Sequence, residues 1–225
     1  MRLLSTKNVS KSFKDELNQS GISLKEHPMI QIVPIQFKIS QVNSALIFTS
    51  QNAVNIAFES ADILRKIKGK NCFCVGEKTK ALLKKKGLNV LKMCQNASDL
   101  SNFLIENYRK ESFSFFCGKQ RMKEIETSLD KYGIDLNIHE IYQTNFTSKH
   151  FKTYFDGILF FSPSAVSSYF TKNTWAIDTH GFCLGSTTAK RLSQFTSNFS
   201  KAKKPSENQL MITIQQYYTE YYAKE

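Results

Sequence analysis

Hydroxyl side chains stand at the ends of apolar runs at two distant places in this chain. LIFTSQNAV (46–54) closes one run with Thr49 and Ser50, and ILFFSPSAV (158–166) closes another with Ser162 and Ser164. A second matched pair follows each. FCVGEKTKALL (73–83) carries Gly76 and Thr79, and FCLGSTTAKRL (182–192) carries Gly185, Thr187 and Thr188. In all four an apolar run gives way to a helix-forming stretch. The first N–H groups of a helix lack internal partners and sit at its positive dipole end, so they attract anions. Ser and Thr hydroxyls donate to carboxylate oxygens, and glycine lets backbone come close to a ligand. Taken singly, each hydroxyl is first a helix cap, stabilising its helix by about 1 kcal/mol, and Pro163 suits a first helical turn. Four such places on one basic chain favour a ligand with several anionic groups.

The balance of charge points the same way. Lys and Arg number 31 against 19 Asp and Glu, a net charge of +12 over 225 residues. Such an excess suits nucleic acid, a membrane surface or a small polyanion, or simply keeps a chain soluble. The basic residues are scattered and no RNA- or DNA-binding motif appears, which weighs against nucleic acid. No apolar run approaches the roughly 18 residues of a membrane span, and MRLLSTKNVSK lacks a signal-peptide core.

Other chemistries find no support. His27, His139, His150 and His180 have no metal spacing, no nucleophile–base pair is evident, and neither GxGxxG nor GxxxxGK[ST] occurs. The five cysteines (72, 74, 94, 117 and 183) are odd in number and lack CxxC spacing, and most sit in apolar runs. A reduced, cytoplasmic protein without structural metal is expected.

The elements that must position these residues alternate along the chain. Strands are expected at 2–5, 30–36, 44–49, 71–75, 88–92, 112–117, 136–141, 157–161 and 181–184, with a weaker one near 197–201. Helical periodicity covers 51–66, 77–86, 97–109, 121–132, 163–171, 186–194 and 205–223. In 121–132, Met122, Ile125 and Leu129 form one apolar stripe, and Gly133 marks its stop. Strands this apolar belong to parallel sheets covered on both faces, and the alternation implies α/β architecture.

The hydroxyl-bearing blocks also repeat in order. Ser50 and Ser162 lie 112 positions apart, Thr79 and Thr188 109 apart. A spacing this long fits a duplicated domain rather than a solenoid. Residues 1–35 are too few for their own core, so the balanced division is 1–36 plus 147–225 against 41–140. The chain then crosses twice, near 34–40 and 140–146, and a hinge of that kind leaves a cleft between two similar lobes.

At these same residues the sequence resembles the uroporphyrinogen-III synthase family, the cofactor-free cyclising enzymes of tetrapyrrole synthesis. The blocks are IFTSQNAV (47–54), CVGEKTKALLKKKGL (74–88), CGKQRMKEIETSLDKYGI (117–134), YQT (142–144), FFSPSAV (160–166), GSTTAKRL (185–192) and AKKPSENQL (202–210). They follow the family's order and cover nearly the whole chain. The resemblance implies two α/β lobes, each a parallel sheet flanked by helices, joined by a two-stranded connector at 37–40 and 141–146. It implies a substrate, hydroxymethylbilane, a linear tetrapyrrole polycarboxylate closed with inversion of its last ring and loss of water. No cofactor, nucleic acid or membrane is implied, and the expected state is a monomer, with transient contact with the preceding pathway enzyme as one further partner. Tyr142 falls at the connector tyrosine and is expected to assist loss of the hydroxyl as a general acid. Thr49, Ser50, Thr79, Ser162, Ser164, Thr187 and Thr188 are expected to hold carboxylates. Two positions depart from the pattern. Thr6-Lys7 stands where many bacterial members carry Thr-Arg, and Met122 stands at a position commonly Arg, whose role is then lost or passed to Arg121 or Lys123. The rival readings are a non-catalytic two-lobed module binding a small anion and, on charge alone, a nucleic-acid binder.

Overall fold

A computed structural model describes residues 1–36 and 39–222, with side chains as far as Thr219 in the last helix. In chain order the first elements are β1 (Arg2–Ser5), α1 (Lys11–Gln19), β2 (Ser23–Glu26), β3 (Ile30–Pro34) and β4 (Ala45–Phe48). Next come α2 (Gln51–Glu59), α3 (Ala61–Ile67), β5 (Asn71–Val75), α4 (Glu77–Lys85) and β6 (Asn89–Cys94). There follow α5 (Ala97–Asn107), β7 (Phe113–Gly118), α6 (Glu124–Asp130), β8 (Leu136–Phe146) and β9 (Gly157–Phe160). The chain ends with α7 (Pro163–Phe170), β10 (His180–Cys183), α8 (Ser186–Leu192), β11 (Phe199–Lys201) and α9 (Glu207–Tyr222).

The chain divides into two compact units, Met1–Gln31 with Asn145–Glu225, and Ile32–Thr144. The discontinuous unit carries a five-stranded sheet in the order β11-β10-β9-β1-β2, all parallel. The other sheet runs β3-β8-β7-β4-β5-β6, and its strands from β8 to β6 are parallel. Apolar runs without alternation produced this outcome. β4, β7, β9 and β10 are buried along their whole length, as strands covered by helices on both faces must be. Phe48 stacks on Phe116 with ring centroids 5.3 Å apart. Truncating either to Ala would cost about 3–5 kcal/mol.

Asn43 anchors a polar network inside the continuous unit. It donates from its backbone N to Ser114 Oγ (2.9 Å) and from Nδ2 to the Phe113 carbonyl (2.9 Å), and accepts from Asn137 Nδ2 (3.1 Å). His139 Nε2 meets the same Ser114 hydroxyl at 3.2 Å and its ring stacks on Phe116.

Several expectations are corrected. SLKE, 23–26, carries no strand pattern in the sequence and is nevertheless the edge strand β2, half-buried on one face only. The expected helix 51–66 is two helices. Ser60 is the C-cap of α2, and its hydroxyl caps α3 by accepting from Ile63 N. The helix expected at 121–132 begins only at Glu124, so Met122 lies outside it and is 78% exposed. Of the apolar stripe only Ile125 and Leu129 are buried. As for the expected connector, residues 141–146 form the second half of β8, and of 37–40, Phe37 and Lys38 lie outside the described residues.

Candidate functional site

Each sheet reverses its direction of growth at one place. In the continuous unit the chain builds outward from β4 through β5 to β6, then returns to add β7 and β8 on the other side. The switch lies between β4 and β7. In the discontinuous unit it lies between β1 and β9. At such points the loops beyond the strands' carboxyl ends diverge and leave a crevice, where open α/β sheets bind ligands.

Thr49 and Ser50 follow β4 directly at the first switch. Ser50 has extended backbone and its hydroxyl accepts from Asn52 N at 3.1 Å, capping α2. The same oxygen accepts a second hydrogen bond, from the Tyr142 phenol, at 3.2 Å. Tyr142 reaches this position through an irregularity in β8. Cys117 faces Glu140, but Gly118 faces Tyr142, so Ile141 is passed over. A bulge of this kind re-aims a side chain. Both Ile141 and Tyr142 consequently pack in one core with Phe48, Ala53, Val54 and Phe116. The register is held from β7 as well, since Lys119 N donates to the Tyr142 carbonyl at 2.8 Å. Burial raises the phenol's pKa, the Ser50 hydrogen bond offsetting it in part, so Tyr142 stays protonated at neutral pH.

Thr79 lies in the first turn of the neighbouring helix α4, whose N-cap is Gly76 with φ of 85° and no side-chain cap. The N–H groups of 77–79 precede the first helical bond, from Lys80 N to the Gly76 carbonyl. The Thr79 side chain is buried. Glu77 and Lys78 are exposed, so the open donors in this place are their backbone N–H groups rather than the buried Thr79.

The discontinuous unit repeats the scheme. Ser162 follows β9 and its hydroxyl accepts from Ala165 N at 3.2 Å to cap α7, with Ser164 half-buried in the first turn. Gly185 is the N-cap of α8, again without a side-chain cap. Thr187 is exposed and Thr188 buried. The pattern is a serine-capped helix after one strand and a glycine-capped helix after the next, in both units. Capping thus accounts for Ser50 and Ser162, while α4 and α8 leave their first N–H groups uncapped by side chains.

The two departures from the family pattern have visible consequences. Lys7 Nζ pairs with Glu207 at 2.8 Å and lies over the Phe161 ring at 4.6 Å. Burial opposes the Glu207 charge, but its bonds to Lys7 and Ser10 prevail and lower its pKa. Arg121, beside Met122, is engaged within its own unit. Its guanidinium is held by Glu126 and Glu140, both at 2.6 Å, and donates to the Gly118 carbonyl at 3.2 Å. That leaves Lys123 as the exposed basic neighbour.

Sequence reasoning missed Gly118. A Cβ built there would stand 2.6 Å from Tyr142 Cε2 and Cζ, so only glycine admits the ring. The signal was present as a glycine closing the apolar run FSFFCG, but its partner lies on another strand. A depression of about 610 Å³ elsewhere in this unit is lined by Glu126, Asp130 and Asp135 near the start of β8. Its acidic walls and its distance from the strands' carboxyl ends make it unsuited to a polycarboxylate.

The family model for uroporphyrinogen-III synthase HemD matches residues 11–211. The chain belongs to the uroporphyrinogen-III synthase family. The architecture agrees with solved members. It is similar to a uroporphyrinogen-III synthetase from Helicobacter pylori 26695 at 18% identity and a TM-score of 0.72, over 96% of this chain and all of that one. A mutant uroporphyrinogen III synthase from the extremely thermophilic bacterium Thermus thermophilus superposes with a TM-score of 0.71 at 11% identity, covering 98% and 99% of the two chains. At these identities the likeness shows the fold alone. No curated protein matches the chain. Within the uroporphyrinogen-III synthase fold, the shared α/β sheets place Tyr142 beside a helix start. Among the described residues no cluster of metal-ligating side chains occurs and no helix is long and apolar enough to cross a membrane.

Proposed function

We propose that this chain is a uroporphyrinogen-III synthase, closing hydroxymethylbilane to uroporphyrinogen III with inversion of ring D and loss of water. Family membership supports the reaction class. The observation that carries the reading is the buried, protonated Tyr142 phenol hydrogen-bonded to Ser50, at the switch point of its sheet. A neutral phenol bonded to Ser50 is the proton source of a pair of hydroxyls that can turn the departing hydroxyl into water, an assistance typically amounting to about 10²–10⁴-fold.

Carboxylates of the substrate are held at helix starts. Gly76 and Gly185 leave the N–H groups of 77–78 and 186–187 open to oxygen acceptors, and Thr49, Ser162, Ser164 and Thr187 offer hydroxyls beside them. Thr79 and Thr188 are buried as whole residues and support these helix starts from behind. The net charge of +12 draws a polyanion toward these donors. Because a flexible linear substrate closes unaided without inversion, most of the catalytic work lies in holding the inverting geometry.

The test is the isomer formed. Purified protein supplied with hydroxymethylbilane should yield the type III porphyrinogen; only the uninverted type I product would defeat the reading.

A further inference from the structure

We propose that Ser50, rather than Tyr142, delivers the proton to the departing hydroxyl, and that Tyr142 replaces it from behind. This rests on the synthase reading above. The Tyr142 ring is enclosed in the core, with the residue only 9% exposed. Its O–H is directed at Ser50 Oγ, 3.2 Å away, and not outward. Ser50 is half-buried just beyond the end of β4, so of the two residues it is the more exposed.

The hydrogen bonds at Ser50 fix the direction of transfer. A serine oxygen has two lone pairs and one proton. Asn52 N–H occupies one lone pair at 3.1 Å and the Tyr142 O–H the other at 3.2 Å. Both acceptor positions are filled, so the remaining function of the hydroxyl is to donate. Among the described residues no acceptor takes that proton. The helix start beside it, with Asn52 N–H already bound, stabilises negative charge that develops on the Ser50 oxygen during transfer.

The step balances without any further reagent. The carbon–oxygen bond of the hydroxymethyl group breaks with its electron pair passing to oxygen, and the pyrrole nitrogen lone pair supplies the methylene carbon. The Ser50 proton passes to the leaving oxygen, giving water, as the Tyr142 proton passes to Ser50. When the closed ring regains aromaticity it releases a proton, which returns through Ser50 to the phenolate.

The arrangement makes Ser50 a catalytic residue whose loss equals the loss of Tyr142. Single-turnover formation of the type III product should fall by ~10²-fold in Tyr142→Phe and by a similar factor in Ser50→Ala, with the double variant within about threefold of either single one. Ser50→Thr, which keeps the hydroxyl, should restore most of the rate. Because Ser50 also caps α2, Ser60→Ala serves as the comparison: it removes the α3 cap, lowers the melting temperature comparably, and leaves turnover at the wild-type level. A proton inventory on the wild-type enzyme in mixed H₂O and D₂O should curve, reporting two protons in flight. The proposal is overturned by a linear inventory. It is equally overturned by less than about a tenfold loss in Ser50→Ala, or by single-variant effects that multiply in the double variant. Those outcomes leave type III formation by the wild type intact, whereas type I product alone from the wild type sinks the synthase reading and this inference together.

Discussion

Gly118 and Tyr142 occupy a space that has no room for one more carbon. A Cβ on Gly118 would lie 2.6 Å from Cε2 and Cζ of the tyrosine and 3.0 Å from its hydroxyl. Tyr142 belongs to the buried core that also holds Phe48 and Phe116, which leaves the ring little room to yield. Gly118→Ala should therefore push the phenol away from Ser50. Overpacking of this kind costs about 1–3 kcal/mol, and a displacement near 1 Å can reduce turnover by ~10²-fold. Thermal melting together with the rate of type III formation measures both; an unchanged rate would show that the ring's seat is not critical.

Tyr142→Phe removes only the hydroxyl. The ring keeps its contacts, so the melting temperature should change little. The lost hydrogen bond to Ser50 contributes about 1 kcal/mol. Cyclisation should slow by ~10²-fold or more, with unaided type I closure becoming the larger product. Chromatographic separation of the two isomers settles it, and near-normal type III yield would remove the phenol from the chemistry.

Acidification should destabilise the fold through two histidines. Burial lowers the pKa of His139, with Lys66 adding to the effect, and burial lowers that of His180 against an opposing bond to Asn198. The unfolded chain, with histidine near 6.5, then binds more protons than the folded one as pH falls below that value. Stability is full above about 6.5 and declines as pH drops toward the lowered folded values. Melting temperatures measured at a series of pH values should fall below that point, and His139→Gln should flatten part of the slope. A flat profile between neutral pH and about 5.5 would contradict this.

Arg121 and Met122, adjacent in sequence, should behave oppositely. Arg121→Met strips Glu126 and Glu140 of their shared cation, and Glu126 Oε2 is already buried without a partner among the described residues. The expected loss is roughly 2 kcal/mol. Met122→Ala, at an exposed position, should stay within about 0.5 kcal/mol of wild type. Urea denaturation compares them, and equal effects would mean the carboxylates find other partners.

Legibility in the sequence followed burial. The runs ALIF, FSFFCG and GILF read as covered strands because no charged residue interrupts them and their one polar residue, Ser114, is small, and they are. SLKE was lost because an edge strand buries little and alternates too briefly to show a period. Ser60 was lost because a single residue serving two caps leaves the helical pattern on either side unbroken. At the site, the hydroxyls after β4 and β9 were legible as helix starts. Their contacts were not: Ser50 and Tyr142 are 92 positions apart, and a bulge that skips Ile141 leaves no trace in residue types. Met122 misled because a hydrophobic side chain at helical spacing says nothing about whether the helix has begun.

The two strand orders carry a consequence for how this chain came to be. Read from the edge inward, β11-β10-β9-β1-β2 matches β6-β5-β4-β7-β8 place for place. The counterpart of β4 is thus β9, the first strand after the long excursion, and the counterparts of β7 and β8 are β1 and β2. One unit is a circular permutation of the other, opened so that its last two strands come first and its sibling is spliced into the opening. The edges of that opening are close, since Thr147 N donates to the Met29 carbonyl at 2.9 Å. The guest could enter and leave through a single seam without rearranging a strand of its host.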